Sequence, residues 1–167
     1  MHIQIIRGLP GAGKSTLAKS FDCMHLELDM FCLDSRRYLW TPQADRRARE
    51  RLRDLVQYMM YAGNDIVVVG VFPDANGLLG TVVDLAATLG HKVFVKTLTE
   101  RHPNVHCVRT KDLERFEREF VDDRQLQIDL MARAKGDRRK IAWLADNVIY
   151  GVMPEKSLVI QCPENAE

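Results

Sequence analysis

The stretch Gly8-Leu9-Pro10-Gly11-Ala12-Gly13-Lys14-Ser15 satisfies G-x-x-x-x-G-K-[ST] at every fixed position. It follows the apolar run 3–7 (IQIIR), a predicted strand, and it precedes a predicted helix from Lys14 to about Phe21, with Leu17 and Phe21 four apart on one side. A strand, a glycine-rich turn and a helix in this order form a cradle in which backbone N–H groups curl around phosphate oxygens. Lys14 then bridges the outer phosphates, and the Ser15 hydroxyl takes a place on Mg²⁺. Gly8, Pro10, Gly11, Ala12, Gly13, Lys14, Ser15 and Thr16 are therefore the expected binding residues for a nucleoside triphosphate. A plain glycine turn with a surface lysine explains the glycines, but not the whole motif in its context.

The remaining pattern is an alternation. Residues 25–28 form a short second strand that stops at Asp29. Thr41-Pro42 is a helix start, a capping hydroxyl followed by proline at the first helical position. Ala48, Leu52, Leu55, Val56 and Met59 then recur at helical spacing up to Gly63-Asn64. The run 66–71 (IVVVGV) reads as a strand buried on both faces of a parallel sheet. A helix over about 77–89, a strand over 92–98 and a helix capped by Thr110 follow, with helix onward to about Ala145. Short strands are predicted at 148–150 and 158–161. Strands alternating with helices imply a three-layer α/β/α fold with a mostly parallel sheet. At 167 residues, one domain spanning 1–167 is expected.

Composition sets the broad class. The chain is 46% hydrophobic and 28% charged with a net charge of +1, ordinary for a water-soluble globular protein. No apolar run reaches a membrane span, and the N-terminus lacks the features of a signal peptide, so the expected location is the cytoplasm, that of a phage's host if the chain is phage-encoded. Cys23, Cys32, Cys107 and Cys162 form no C-x-x-C pair, which leaves a structural zinc site unsupported. The charge is unevenly spread. Residues 36–53 hold seven arginines against Asp45 and Glu50, and residues 133–140 carry a local +4.

A phosphate loop does not name the reaction. Motors and GTPases need an acid at the end of a neighbouring strand, and IVVVGVF has Gly70 there. No N-K-x-D for reading guanine is present. Small phosphotransferases rely on positioning and electrostatics and need an acceptor for a hydroxyl proton. Asp29 lies 15 residues after Lys14 at the carboxyl end of a strand, where parallel sheets bind ligands. The alternative for Asp29 is a helix cap for 30–35.

Through GLPGAGKSTL and Asp29, the chain resembles the polynucleotide-kinase-like P-loop kinases of phages and bacteria. The likeness covers about residues 3–121, including RGLPGAGKSTLAK, LELDMF, VVVGVFP, DLAATLGHKVFV and HPNVHCVRTKDLERFEREF. The last segment is similar to the family's N-x-H-x-V-P element. Residues 122–167 bring no resemblance. The resemblance implies a kinase moving the γ-phosphate of ATP, with Mg²⁺, onto a hydroxyl of a nucleic-acid acceptor, DNA ahead of RNA. It implies that Asp29 activates that hydroxyl, and that residues 101–110 form a lid from which Arg101 or Arg109 supplies positive charge. Asn104 and His106 match the N-x-H pair. Arg36, Arg37 and Tyr38 are further candidates for holding the acceptor.

The departures lie on the acceptor side. Met30 stands where relatives have a second acid, Cys32 where phage members have arginine, Gly70-Val71-Phe72 in place of a D-x-T-N-like tip, and Arg109 in place of proline. They keep open a second acceptor, the hydroxymethyl group of a modified base such as 5-hydroxymethyluracil in phage DNA hypermodification. A non-catalytic ATP-binding switch is the reading from another class. Arg46, Arg47, Arg49, Arg51 and Arg53 suit a phosphate backbone, with Tyr38 and Trp40 suited to base stacking, although five arginines do not share one helical face.

Overall fold

The computed structural model describes residues 1–31, 33–34, 37–38, 41–100 and 110–153. The chain begins with β1 (His2–Gly8), α1 (Lys14–Ala18) and β2 (Met24–Glu27), followed by a 3-10 turn over Leu28–Phe31. A small hairpin pairs β3 (Leu33–Asp34) with β4 (Arg37–Tyr38). Next come α2 (Pro42–Tyr61), β5 (Ile66–Gly70), α3 (Leu78–Leu89) and β6 (Lys92–Leu98). The described part ends with α4 (Thr110–Glu119), α5 (Asp123–Arg133), α6 (Arg138–Asn147) and β7 (Val148–Tyr150).

The strands β2-β5-β1-β6-β7 form one sheet, in that order, and every pair is parallel. The predicted α/β/α architecture is present. Parallel strands joined by right-handed crossovers force helices onto opposite faces according to the direction in which the chain moves across the sheet. The step from β1 to β2 runs one way and places α1 on one face, against Ile6, Val67 and Val69. The later steps run the other way, and α2, α3, α5 and α6 pack on Ile3, Ile5, Val68, Val93 and Val95. The inner strand β5 is buried on both sides, which is why it reads as an unbroken apolar run.

The helix boundaries follow local chemistry. The Thr41 side chain accepts a hydrogen bond from the Ala44 N–H at 3.0 Å, and proline opens α2 as the sequence predicts. Two expectations change. The first helix stops at Ala18 rather than near Phe21, in a turn held by Ser20 and Phe21 N–H bonds. The helical stretch after Thr110 is three helices, not one. Asp122 caps α5, and Asp137 caps α6 through the Arg139 and Lys140 N–H groups, after Lys135 and Gly136 turn the chain at φ 49° and 80°. Asp84 joins these helices to α3, accepting from Arg133 and Lys140 at 2.8 Å each. Among the described residues, no helix is long and apolar enough to cross a membrane. The predicted strand at 158–161 lies outside the described residues.

Candidate active site

The phosphate loop leaves β1, the middle strand, where the chain's connections depart to opposite sides. In open parallel sheets this is the crevice that receives ligands. Gly13 sits at φ 80°, a conformation costly for any residue with a Cβ, so the motif's last glycine is required by the backbone itself. A Cβ on Gly8 would stand 2.7 Å from the Leu98 carbonyl oxygen, so the motif's first glycine is fixed by the approach of β6. The Ala12 N–H closes the loop on the Leu9 carbonyl at 3.1 Å. The N–H groups opening α1 have no intrahelical acceptor, as at any helix start. Donors of this kind suit phosphate oxygens.

Lys14 folds over this loop, its Nζ donating to the Leu9 carbonyl at 3.0 Å. Burial lowers its pKa from the ordinary lysine value, while the charges of Asp29 and then Glu27 oppose that shift. Both carboxylates therefore act on the lysine of the phosphate loop. Asp29 lies in the 3-10 turn that continues β2, exposed at the carboxyl end of the sheet. It does not cap a helix over 30–35, because the chain goes on into the β3–β4 hairpin.

The sequence reading missed Glu27. The Ser15 hydroxyl donates to Glu27 Oε2 at 2.9 Å, joining the start of α1 to the end of β2. The sequence holds a faint signal for it. Glu27 and Asp29 are two apart at a strand end, and that spacing directs two side chains to one side. The acid absent at position 30 has a counterpart at position 27. A hydroxyl and a carboxylate are hard oxygen donors, the set that Mg²⁺ accepts alongside phosphate oxygens and water. The residues present fit that ion. Among the described residues, no group of three or more His, Cys, Asp or Glu side chains is gathered for a metal.

At the tip of β5, the place of the missing acid is filled. A Cβ on Gly70 would lie 2.7 Å from the Phe72 ring, and Phe72 is 5% exposed with φ 41°. An aromatic ring covers this edge of the crevice. Beneath the loop, Arg7 is fully buried; its Nη2 donates to the carbonyls of Val121 at 2.5 Å and Pro73 at 3.3 Å, and its guanidinium lies 4.2 Å over the Phe120 ring.

Of the other predicted site residues, Arg37 and Tyr38 form β4. Arg36, Trp40, Arg101, Asn104, His106 and Arg109 lie outside the described residues. Thr16 is exposed on α1, one residue past the Ser15 contact.

No protein-family profile matches the chain, and no curated protein sequence matches it. Solved structures do resemble it. A chain of the Pnkp1/Rnl/Hen1 RNA repair complex is 15% identical, with a TM-score of 0.50 over 95% of this chain and 50% of its own length. A second chain, from a structure of the Pnkp1/Rnl/Hen1 complex, is 19% identical over 68% of this chain and 38% of its own, with a TM-score of 0.44. The APS kinase CysC of Mycobacterium tuberculosis, in complex with AMPPNP and APS, is 21% identical over 68% of this chain and 66% of its own, with a TM-score of 0.43. The chain thus spans half or less of the two repair-complex chains it resembles. The chain shares the fold of the repair-complex chain matched at a TM-score of 0.50, an α/β fold with a parallel sheet and a phosphate loop after its middle strand.

Proposed function

We propose that the chain is an ATP-dependent kinase that transfers the γ-phosphate to a hydroxyl of a nucleic-acid acceptor, with Asp29 as base. The observation that carries this reading is the convergence on the phosphate loop of two carboxylates, one from the end of β2 and one from the 3-10 turn after it. Glu27 accepts from Ser15, and Asp29 bears on Lys14 from the open end of the sheet. A nucleotide switch has use for the first carboxylate and none for the second. The nucleic-acid acceptor is supported by the seven arginines of residues 36–53 and by the fold shared with a chain of an RNA repair complex.

The step balances simply. ATP displaces the Leu9 carbonyl from Lys14, whose ammonium then lies against the outer phosphates. The acceptor oxygen attacks the γ-phosphorus while its proton passes to the Asp29 carboxylate. The bond from that phosphorus to the β–γ bridging oxygen breaks, and ADP leaves with the electron pair. Ser15 and Glu27 would hold Mg²⁺, which when bound supplies neutralising charge to the β- and γ-phosphate oxygens. Arg101 or Arg109 adds charge to the transferring group in this reading, and Arg36, Arg37, Tyr38, Asn104 and His106 hold the acceptor.

Transfer of labelled γ-phosphate tests the proposal. The acceptors are DNA and RNA oligonucleotides with a 5′-hydroxyl, the same strands already phosphorylated, and DNA containing 5-hydroxymethyluracil. Label is expected on the 5′-hydroxyl strands and absent from the blocked ones. Label on blocked strands containing the modified base would move the acceptor to that base. Asp29→Asn should reduce transfer by about 10²–10⁴-fold with ATP affinity kept. Full transfer by Asp29→Asn, or label on no nucleic acid, would overturn the reading.

A further inference from the structure

The outward face of α2 carries groups that the transfer step does not use. Arg46, Arg47 and Arg51 are exposed there and have no ion-pair partner among the described residues. Arg49 and Arg53 are engaged by Asp45 and Asp54, at 2.8 and 2.9 Å. Further along, Tyr58 and Tyr61 are 67% and 64% exposed, the two most exposed large apolar side chains on this helix. Helical spacing joins these groups. Positions 47, 51, 54, 58 and 61 follow each other by three or four residues and form one stripe, with Arg46 and Glu50 along its edge. The acid within the stripe, Asp54, is already neutralised by Arg53. The opposite side of the helix supplies the core with Ala48, Leu52, Val56 and Met60.

The stripe has a direction. β2 and β5 run parallel, so α2, which connects them, descends from the carboxyl end of the sheet to its amino end. It also packs against the 3-10 turn that holds Asp29. The unpaired arginines therefore lie toward the transfer site and the tyrosines away from it. From Arg47 to Tyr61 is 14 residues, about 21 Å of helix at 1.5 Å per residue. Unpaired guanidinium groups at one end fit a polyanion. Two exposed phenol rings one turn apart fit bases whose faces are free, which a single strand offers and a duplex hides.

We propose that the stripe of α2 from Arg46 and Arg47 to Tyr58 and Tyr61 is the track for a single nucleic-acid strand, with phosphates on the arginines and bases stacked on the tyrosines. This rests on the nucleic-acid acceptor reading and deepens it. The strand end is at Asp29, and the nucleotides behind it run down α2.

The test uses the full chain, a 5′-hydroxyl dinucleotide and a single strand of about 16 nucleotides, the upper range of single-strand site sizes. The variants are Arg46→Gln/Arg47→Gln/Arg51→Gln and Tyr58→Ala/Tyr61→Ala. In the unaltered chain, KM for the long strand should be at least tenfold below that for the dinucleotide. Both variants should raise the long-strand KM toward the dinucleotide value with kcat and dinucleotide KM unchanged. The arginine variant should also flatten the log–log salt slope by about two, three phosphate contacts at roughly 0.7 each. Equal KM for both lengths, or variants with an unchanged long-strand KM, would overturn the track while leaving the kinase reading intact. If neither acceptor is phosphorylated, the acceptor reading falls, and fluorescence anisotropy of the labelled long strand decides the track alone. Binding lost in both variants supports it; binding retained refutes it. Self-association abolished by the tyrosine change, with strand binding unaltered, would assign the tyrosines to a second copy and overturn the proposal.

Discussion

The Ser15 hydroxyl donates to the Glu27 carboxylate across 2.9 Å, although β1, which leads into Ser15, and β2, which ends at Glu27, are separated in the sheet by β5. The contact spans that intervening strand because α1, which opens at Lys14, lies over β5 on this face of the sheet. In Glu27→Gln the oxygen geometry survives and the charge is lost. Half-maximal transfer is expected to need about tenfold more Mg²⁺, with affinity for metal-free ATP little changed. A Mg²⁺ titration of initial rates checks this. An unaltered requirement would reduce Glu27 to a structural partner of the hydroxyl.

Lys14 gives a pH dependence with a definite sign. Burial lowers its pKa below 10.5, so it sheds its proton earlier than a free lysine as pH rises. ATP phosphates favour the charged form. Affinity for ATP should therefore fall as pH climbs through the depressed value, by up to about tenfold per unit for one linked proton. Without nucleotide the sign reverses for folding. The unfolded chain holds this proton more tightly, so the lysine's contribution to stability rises with pH between its folded value and 10.5. Lys14→Ala should bind ATP weakly at every pH and show no alkaline fall. Calorimetric titration from neutral pH upward separates these outcomes.

What was legible in the sequence was what local chemistry dictates. The apolar runs of β1, β5 and β6, the Thr41-Pro42 start of α2 and the glycines of the phosphate loop all act within a few residues of themselves. Asp29 was found by counting to a strand end. Glu27 was not, because its partner comes from an element two strands away, and only the crossover of α1 brings them together. The α5–α6 break was also readable in principle. Gly136-Asp137 is a stop followed by a cap, but the apolar spacing on either side disguised it. The role of Arg7 had no signal at all, since a charged residue before a phosphate loop does not disclose that it is fully buried.

Phe72 and Gly70 form a coupled pair. Gly70→Ala drives a methyl to within 2.7 Å of a buried ring and is expected to cost about 1–3 kcal/mol by overpacking. Phe72→Ala empties that space and is expected to cost about 3–5 kcal/mol. The double variant should be more stable than the sum of the two losses implies, by at least about 0.5 kcal/mol, because the methyl then has room. Urea denaturation of the four proteins closes the cycle. Strict additivity would show that the ring and the glycine do not meet.

Arg7 holds together segments far apart in sequence. Its Nη2 donates to Pro73, just after β5, and to Val121, between α4 and α5, while Phe120 covers the guanidinium. Burial brings its pKa down to about 10, with Asp123 the largest opposing charge, and the Nε and Nη1 atoms have no hydrogen-bond partner among the described residues. Two effects therefore compete in Arg7→Met. The change removes a desolvated charge, which favours the variant. It also leaves the Val121 carbonyl without its donor, at about 1–3 kcal/mol, whereas the Pro73 carbonyl keeps the Val121 N–H at 2.9 Å. The orphaned Val121 carbonyl and the lost contact with the Phe120 ring outweigh the relief of one partly paired cation, so a net loss of about 1–3 kcal/mol is expected. Chemical denaturation measures it. Because Arg7 supplies one of two ties on the α4–α5 connection, the other being the Val121 N–H bond to the Pro73 carbonyl, amide exchange at 120–123 should quicken more than exchange in β1. A denaturation midpoint equal to or above that of the unaltered chain would show that desolvation dominates, and that this arginine strains the sheet rather than fastening it.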